Sequence, residues 1–154
     1  MAFIQLVTFE LSGEEYGMEI DSINGIIKSK SYKIFKIPNS PKHLEGIINL
    51  RGKVNPVFNL KKKFQLEDES ISPESKIIIV NTSKDTTVGF IVDEVTDIYK
   101  IEDTQIEDAP KGINNYITGI GKVDDKIVMI FDLVKVLSED DMMKVQSIST
   151  QNSN

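Results

Sequence analysis

Few side chains in this sequence are of the types that carry out catalysis. His43 is the only histidine and the chain has no cysteine, so a histidine-based metal site, a histidine-assisted nucleophile and thiolate chemistry all lack their usual residues. Two prolines lie just before His43, which predicts that it sits in a turn. Four glycines lack the spacing and the following Lys-Ser/Thr pair of a phosphate-binding loop: Gly46, Gly52, Gly119 and Gly121.

Asp21 and Asp93 are the best candidates for a pair of catalytic carboxylates. Each ends a predicted strand, where an aspartate readily accepts hydrogen bonds from nearby backbone N–H groups, and this favours a structural role. Nothing in the sequence combines an acid, a base and a nucleophile. We therefore interpret the protein as a binding protein that is not an enzyme and needs no cofactor.

The composition favours a protein partner over nucleic acid or lipid. The chain has 154 residues, 40% of them hydrophobic, and a formal net charge of −6, which argues against a nucleic-acid-binding surface. The run Lys61-Lys62-Lys63 is interpreted as a solvated face. The lack of cysteine fits a reducing compartment, and neither a signal peptide nor a membrane-spanning apolar run is recognisable. These features predict a cytoplasmic location.

The positions that could bind a partner lie in two similar halves. With a shift of 73 positions the stretch 46–62 matches 119–135, and with a shift of 72 the stretch 17–38 matches 89–110. The matched pairs include Gly46-Ile47 with Gly119-Ile120, Val57-Phe58 with Ile130-Phe131, Asn59-Leu60 with Asp132-Leu133, Gly17 with Gly89, Ile23 with Val95 and Ile26 with Ile98. Two units of this size would be marginal alone, so they should share a core.

The clearest element is a hairpin within 46–64. Apolar runs flank Arg51-Gly52-Lys53, and Gly52 can adopt positive φ without steric cost, which predicts a tight turn between two strands. Pro56 has no N–H, so its strand should lie at a sheet edge or carry a bulge there. Arg51 has two interpretations: a structural ion pair, or an exposed guanidinium that binds a partner carboxylate in bidentate fashion.

Many short strands with glycine and proline between them predict an all-β fold of two small barrels. Residues 32–37 read as a strand, whereas the spacing of Ile23 and Ile26 suits one helical turn better. Residues 133–145 show helical spacing, with a capping box at 138–141. Polar residues predict disorder for 146–154.

One apolar set occupies equivalent places in the two units. Ile23, Ile26 and Ile27 belong to the first, and Val95 and Ile98 to the second. They could line a groove that accepts an amphipathic helix through i, i+3, i+4 and i+7 anchors. The alternative, which patterning alone slightly favours, is that they form the core between the units.

Three segments together resemble the CheW family, the adaptors of bacterial chemotaxis. HLEGIINLRGKVNPVFNLKKKF resembles the family signature, and EEYGMEIDSINGII and VGFIVDEVTDIYKI resemble matching segments of its two subdomains. The resemblance covers residues 3–143, and the Asn49-Leu50-Arg51-Gly52 core is specific to this family and to the related regulatory domain of the CheA kinase. The chain has no room for the other domains of a kinase, so the resemblance implies a free-standing adaptor.

The resemblance implies one domain, 1–145, made of two intertwined five-stranded SH3-like barrels. They would cover about 15–74 and 75–132 with swapped strands, followed by a helix at 133–145. It implies a monomer when free, with two partners at membrane-associated arrays. The chemoreceptor's cytoplasmic helical tip would contact Ile23, Ile26, Ile27, Val95 and Ile98 beside Asn49 and Arg51, and the CheA regulatory domain would contact Gly46, Gly52, Lys53 and Val54.

One position departs from the family pattern. Relatives often carry an acidic residue where this chain has Gly25, so Arg51 is not expected to have that local salt bridge. A generic SH3-like module that reads peptides outside chemotaxis is the competing interpretation.

Overall fold

The structure is a computed structural model that describes residues 2–67, 70–82, 86–112 and 115–151. Strands dominate it, as the sequence predicts. They are β1 (Phe3–Leu11), β2 (Glu14–Glu19), β3 (Ile23–Lys28), β4 (Leu44–Leu50), β5 (Lys53–Asn59), β6 (Lys76–Asn81), β7 (Thr87–Val92), β8 (Glu94–Glu102), β9 (Ile106–Glu107), β10 (Ile117–Val123) and β11 (Lys126–Phe131). The α-helices are α1 (Leu60–Lys63), α2 (Leu133–Val136) and α3 (Glu139–Gln151).

The strands form two sheets that exchange hairpins. Sheet I has the order β3-β6-β7-β5-β4, and sheet II has the order β8-β1-β2-β11-β10-β9. Sheet I takes the hairpin β6–β7 from the second repeat and three strands from the first, whereas sheet II takes the hairpin β1–β2 from the first repeat and four strands from the second. Parallel pairing of β5 with β7 and of β11 with β2 joins the two contributions in each sheet. This confirms the all-β fold of two intertwined SH3-like barrels related by an internal repeat. The division into 15–74 and 75–132 follows the repeats more closely than the sheets, because sheet I is built from 23–92.

Three apolar clusters fill the fold. One lies within sheet I around Ile77, Ile79 and Ile91, and one lies within sheet II around Leu6 and Ile130. The largest, which we call the shared core, takes side chains from both sheets, and its buried members include Phe9, Leu11, Met18, Phe58, Val80, Val88, Phe90 and Phe131. The repeats therefore share a core, as their small size requires.

The hairpin turn has the predicted geometry. Leu50 pairs with Lys53 across a two-residue loop, and Arg51 and Gly52 have φ of +54° and +85°. Positive φ at both loop positions is the type I′ arrangement, whose twist matches that of the flanking strands. The prediction for Pro56 is wrong, since β5 is an inner strand of sheet I. The proline is tolerated because the parallel ladder with β7 covers only Val57, Phe58 and Asn59.

The prediction of a helical turn at Ile23 and Ile26 is wrong. Both residues lie in β3, where the register slips between Ile23 and Gly25 so that Asn24 bulges out of the ladder with β6. A bulge inserts one extra residue and shifts the alternation of side chains. Residues three apart then share one face of a strand, a spacing that otherwise indicates a helix.

Two further expectations fail. Residues 32–37 form no strand, because only Phe35 pairs, in a single bridge with Ile47. The C-terminal helix predicted over 133–145 is broken at Leu137 and Ser138, and α3 runs on to Gln151, so the expectation of disorder is wrong for 146–151. Once the apolar side of α3 is packed on the fold, each further residue adds a helical hydrogen bond, and the helix extends through the polar residues 146–151. Residues 152–154 lie outside the described residues.

Candidate protein-binding surfaces

The apolar set of the two repeats lies on equivalent outer strands. β3 is at one end of sheet I and β8 is at one end of sheet II. Ile23 and Ile26 stand opposite Val80 and Ile78 of β6, and Val95 and Ile98 stand opposite Phe9 and Val7 of β1, with a bulge at Thr96 that matches the one at Asn24. The bulges place all four isoleucine and valine side chains on the sheet faces that contain the shared core. We call Ile23, Ile26, Val95 and Ile98 the edge-strand surface.

This surface runs from the shared core out to solvent. Ile23 and Val95 are half-buried and pack against the shared core, whereas Ile26 is 40% and Ile98 57% exposed. Ile23 and Val95 therefore fit the core interpretation, whereas Ile26 and Ile98 are exposed side chains. Ile27 has the opposite orientation, since it pairs with Ile77 and packs into the cluster inside sheet I.

The β4–β5 hairpin tip carries the other predicted contact residues. The side-chain oxygen of Asn49 accepts a hydrogen bond from the Gly52 N–H at 3.0 Å, which stabilises the turn. Arg51 and Lys53 are exposed and Val54 is half-buried. Within the described ranges Arg51 has no ion pair.

Gly46 has a structural reason to be glycine. It is buried, and its φ is +153°. A Cβ at this position would overlap the carbonyl of Phe35, which is bonded to the N–H of Ile47. Gly46 therefore supports the hairpin from within the fold, while Gly52 is exposed at its tip.

Asp93 fastens the crossing between the two sheets. It lies between β7 and β8, and its carboxylate accepts a hydrogen bond from the Ser12 N–H at 2.7 Å and pairs with Lys61 Nζ at 2.6 Å. This confirms the structural interpretation of Asp93. Asp21, its counterpart, is exposed, and a valine, Val134, stands where Lys61 stands in the other repeat. The ion pair is therefore a feature of one repeat alone.

The lysine run is not the solvated face that the sequence suggested. Lys61 is only 3% exposed, Lys62 Nζ lies 2.5 Å from Glu45, and Lys63 Nζ lies 3.0 Å from Asp141. Each lysine thus meets an acidic group that folding brings from a distant part of the chain. Sequence spacing holds no signal of such partners.

His43 anchors the C-terminal helix, which sequence reasoning missed. Its Nε2 lies 2.7 Å from Asp141 Oδ1, and its ring stacks on Phe58. Asp141 also closes the predicted capping box with Ser138. Burial alone would raise the pKa of the Asp141 carboxyl, but the hydrogen bonds from His43, the Ser138 N–H and Lys63 hold that pKa below its ordinary value. Asp141 is therefore a buried carboxylate with three donors.

The fold and its surfaces define a scaffold or adaptor class of protein: two fused SH3-like barrels with an exposed apolar strand edge and a polar hairpin tip. The CheW-like domain model matches residues 5–141. The chemotaxis protein CheW of Helicobacter pylori is 32% identical over 89% of this chain and 83% of the relative, and that of Bacillus subtilis is 32% identical over 88% of each. The scaffolding protein TtCheW from Thermoanaerobacter tengcongensis superimposes with a TM-score of 0.77 at 37% identity, over 85% of this chain and 90% of that one.

The chain belongs to the CheW family of chemotaxis adaptors. These comparisons confirm the resemblance and favour an adaptor between chemoreceptors and CheA over a generic SH3-like peptide-binding module. Among the helices that the structure describes, none is long and apolar enough to cross a bilayer.

Proposed function

We propose that this chain couples chemoreceptors to the CheA histidine kinase without catalysing a reaction, by presenting separate surfaces to the two partners. The observation that carries the proposal is the edge-strand surface, an apolar face that leaves the shared core on two equivalent outer strands and ends in the exposed side chains of Ile26 and Ile98. An apolar surface flanked by polar residues is typical of a protein-binding site.

The receptor contact is a helix laid along the edge-strand surface. Ile23 and Val95 form its floor and Ile26 and Ile98 its walls, so that apolar residues one helical turn apart on the receptor tip can pack between them. Ile27 supports β3 from the barrel side. Arg51 at the tip of the β4–β5 hairpin, in the turn that Asn49 closes, offers a guanidinium to a receptor carboxylate.

The kinase contact uses the β4–β5 hairpin. Gly46 and Gly52 shape its backbone, and Lys53 and Val54 present one charged and one apolar side chain to the CheA regulatory domain. The adaptor is a cytoplasmic monomer when free and is recruited to the inner face of the membrane by the receptors it binds. It transmits a signal only if its affinity differs between the states of the kinase.

A two-partner titration tests this proposal. Purified chain is titrated with a receptor cytoplasmic-tip fragment and, separately, with the CheA regulatory domain. We expect Ile98→Asp to weaken receptor binding at least about tenfold, or about 1.4 kcal/mol, and to leave kinase binding unchanged. The matched control is Ile127→Asp, which changes an isoleucine that is 70% exposed on β11. Equal losses for both partners, or an equal effect of the control, would contradict the proposal.

Arg51 is tested by an assay of receptor-dependent kinase activation, with a conformationally matched control. Asp124 occupies the equivalent hairpin tip and has the same φ of +54°. Arg51→Ala should keep the fold and reduce receptor-dependent kinase activation, whereas Asp124→Ala should not. If Arg51→Ala leaves receptor-dependent kinase activation unchanged, the proposal that Arg51 contacts the receptor is wrong.

A further inference from the structure

A second apolar site, separate from the edge-strand surface, lies between the end of α1 and the strands of sheet II. It is a cleft of about 320 Å³, which we call the aromatic cleft. Tyr16 stacks on Phe131 with ring centroids 5.0 Å apart, and Phe64 stacks on Tyr116 at 5.3 Å. The cleft is lined by Tyr16, Lys63, Phe64, Gln65, Leu66, Tyr116, Ile117, Met129 and Phe131.

The internal repeat gives this cleft a counterpart in the other half of the molecule. The same shifts of 72 and 73 positions that align the repeats also relate the two sites. The pairs are Tyr116 with His43, Ile117 with Leu44, Met129 with Pro56, Phe131 with Phe58, Phe64 with Leu137 and Tyr16 with Val88.

Helix α3 covers the counterpart. Val145 of α3 is fully buried in the shared core, Met142 packs against that core, and Asp141 binds His43 and Lys63. The counterpart residues Leu44, Pro56, Phe58, Val88 and Leu137 are all buried, whereas Tyr16, Phe64, Tyr116, Ile117 and Met129 of the aromatic cleft are only half-buried.

Chain connectivity explains the difference. After α2 the chain continues as α3, which packs back on β5 of sheet I. After α1 the equivalent segment leads on to β6, and among its described residues, 64–67 and 70–75, Phe64 and Leu66 pack against the shared core. One of two related sites is thus covered by a helix of the chain itself, and the other is left open.

We propose that the aromatic cleft docks an amphipathic helix of a partner protein, in the way that α3 docks on the related site. The docked helix would follow the pattern of Asp141, Met142 and Val145: an acidic residue in its first turn, followed by apolar residues that face the cleft. This contact is distinct from the edge-strand surface and goes beyond the proposed coupling of receptor to kinase.

The rim of the cleft suits that acidic residue. Lys63 lines the cleft, and its ammonium has three N–H donors, of which one contacts Asp141 at 3.0 Å. Tyr116 stands where His43 stands in the covered site. Burial raises the pKa of the Tyr116 hydroxyl, so it remains a protonated donor. An incoming carboxylate therefore meets two donors.

The occupant is a partner's helix and not α3 of a second copy. In its own site α3 holds Asp141 and Val145 at 1% and 0% exposure. A second copy would have to expose both before it could offer its helix, and withdrawing a buried, hydrogen-bonded carboxylate and an apolar side chain costs free energy. A partner helix has no such cost.

A hydrocarbon-stapled peptide with the sequence of residues 137–151 serves as the probe in an NMR titration of the full-length chain. We expect saturable shifts at Phe64, Tyr116, Ile117 and Met129. Met129→Glu should weaken binding at least about tenfold. Ile127→Glu, which changes an exposed residue two positions away on β11, should not.

Tyr116→Phe keeps the ring stack and removes only the hydroxyl, so it remains informative if Met129→Glu disturbs the fold. It should weaken binding of the peptide severalfold, but not binding of a peptide in which the residue equivalent to Asp141 is Asn. The proposal is overturned if no saturable shifts appear up to about 1 mM peptide, or if the Met129 and Ile127 substitutions have equal effects. Shifts centred on Leu44 and Phe58 would also overturn it, because they would indicate that the peptide exchanges with α3.

Discussion

At the scale of single residues, the ion pair of Lys61 with Asp93 shows how charge is used inside this fold. Lys61 is 3% exposed. At the crossing from sheet I to sheet II, the Asp93 carboxylate pairs with the Lys61 ammonium and accepts a hydrogen bond from the Ser12 N–H. Only the lysine of this pair is buried, since the Asp93 side chain is 28% exposed. The loss of Asp93 therefore leaves an uncompensated charge on a buried lysine. The valine at the equivalent position of the other repeat, Val134, shows that this fold accepts an apolar residue there.

Asp93→Ala should therefore destabilise the protein by about 3 kcal/mol, because the Lys61 cation stays buried without its partner. The double variant Lys61→Met/Asp93→Asn should lose much less, since the asparagine oxygen can still accept from Ser12. Urea denaturation of the two variants and the wild type provides the measurement. A double variant as unstable as Asp93→Ala would show that the charge pair itself is required.

At the scale of elements, the short bridge of Phe35 to Ile47 depends on a glycine. Gly46 lets the carbonyl of Phe35 approach β4, and the equivalent place in the second repeat is the pairing of β9 with β10. The equivalent strands β4 and β10 therefore each carry a very short extra pairing.

Gly46→Ala should cost about 2–4 kcal/mol, because the added methyl group meets backbone atoms of Phe35 and the φ of +153° is unfavourable for alanine. Gly25→Ala is the matched control within a strand of the same sheet, since a Cβ there meets nothing within 4 Å. Its stability should change by less than about 1 kcal/mol. Similar melting temperatures for the two variants would contradict this account.

The docking of α3 is expected to depend on pH through Asp141. The folded-state pKa of this carboxyl is lowered, so its contribution to stability is complete above its unfolded pKa of about 3.9 and is lost as the pH falls through the folded value. The difference in unfolding free energy between wild type and Asp141→Asn should therefore be largest near neutral pH and shrink below about pH 4. Asp140→Asn, at an exposed position one residue away, should show only a small difference at every pH. A wild-type advantage over Asp141→Asn that stays constant down to pH 3 would contradict the assignment.

At the scale of the whole molecule, the shared core makes the two barrels one folding unit. Sheet I is built from the continuous segment 23–92, yet one of its faces packs on side chains of sheet II, among them Phe9, Met18 and Phe131. A barrel with that face exposed would bury too little apolar surface to be stable.

The full-length chain should accordingly unfold in a single cooperative transition, whereas a fragment of residues 23–92 should show no cooperative melting although it contains every strand of sheet I. Circular dichroism and calorimetry of both proteins give the comparison. A fragment that melts cooperatively near the temperature of the full-length chain would show that the barrels are independent.

Local chemistry explains what the sequence predicted. Gly52 specifies the hairpin turn, the capping box at Ser138 specifies the start of α3, and the repeated order of glycines and apolar pairs identifies two copies of one unit. These features depend on neighbouring residues and on spacing, which a sequence displays directly. The motif around Arg51 also identified the family. The residues proposed to contact the receptor and the kinase remain predictions.

Only the tertiary structure decided which hairpin joins which sheet, because pairing of β2 with β11 and of β5 with β7 connects strands from different repeats. It also decided the bulges at Asn24 and Thr96, since a ladder slips to fit its partner strand. The partners of Lys61 and His43 come from residues 32 and 98 positions away, and no local spacing encodes such contacts. The sequence by itself determined the repeated unit and its turns, and the packing of one unit against the other determined which surfaces are buried and which are left to bind.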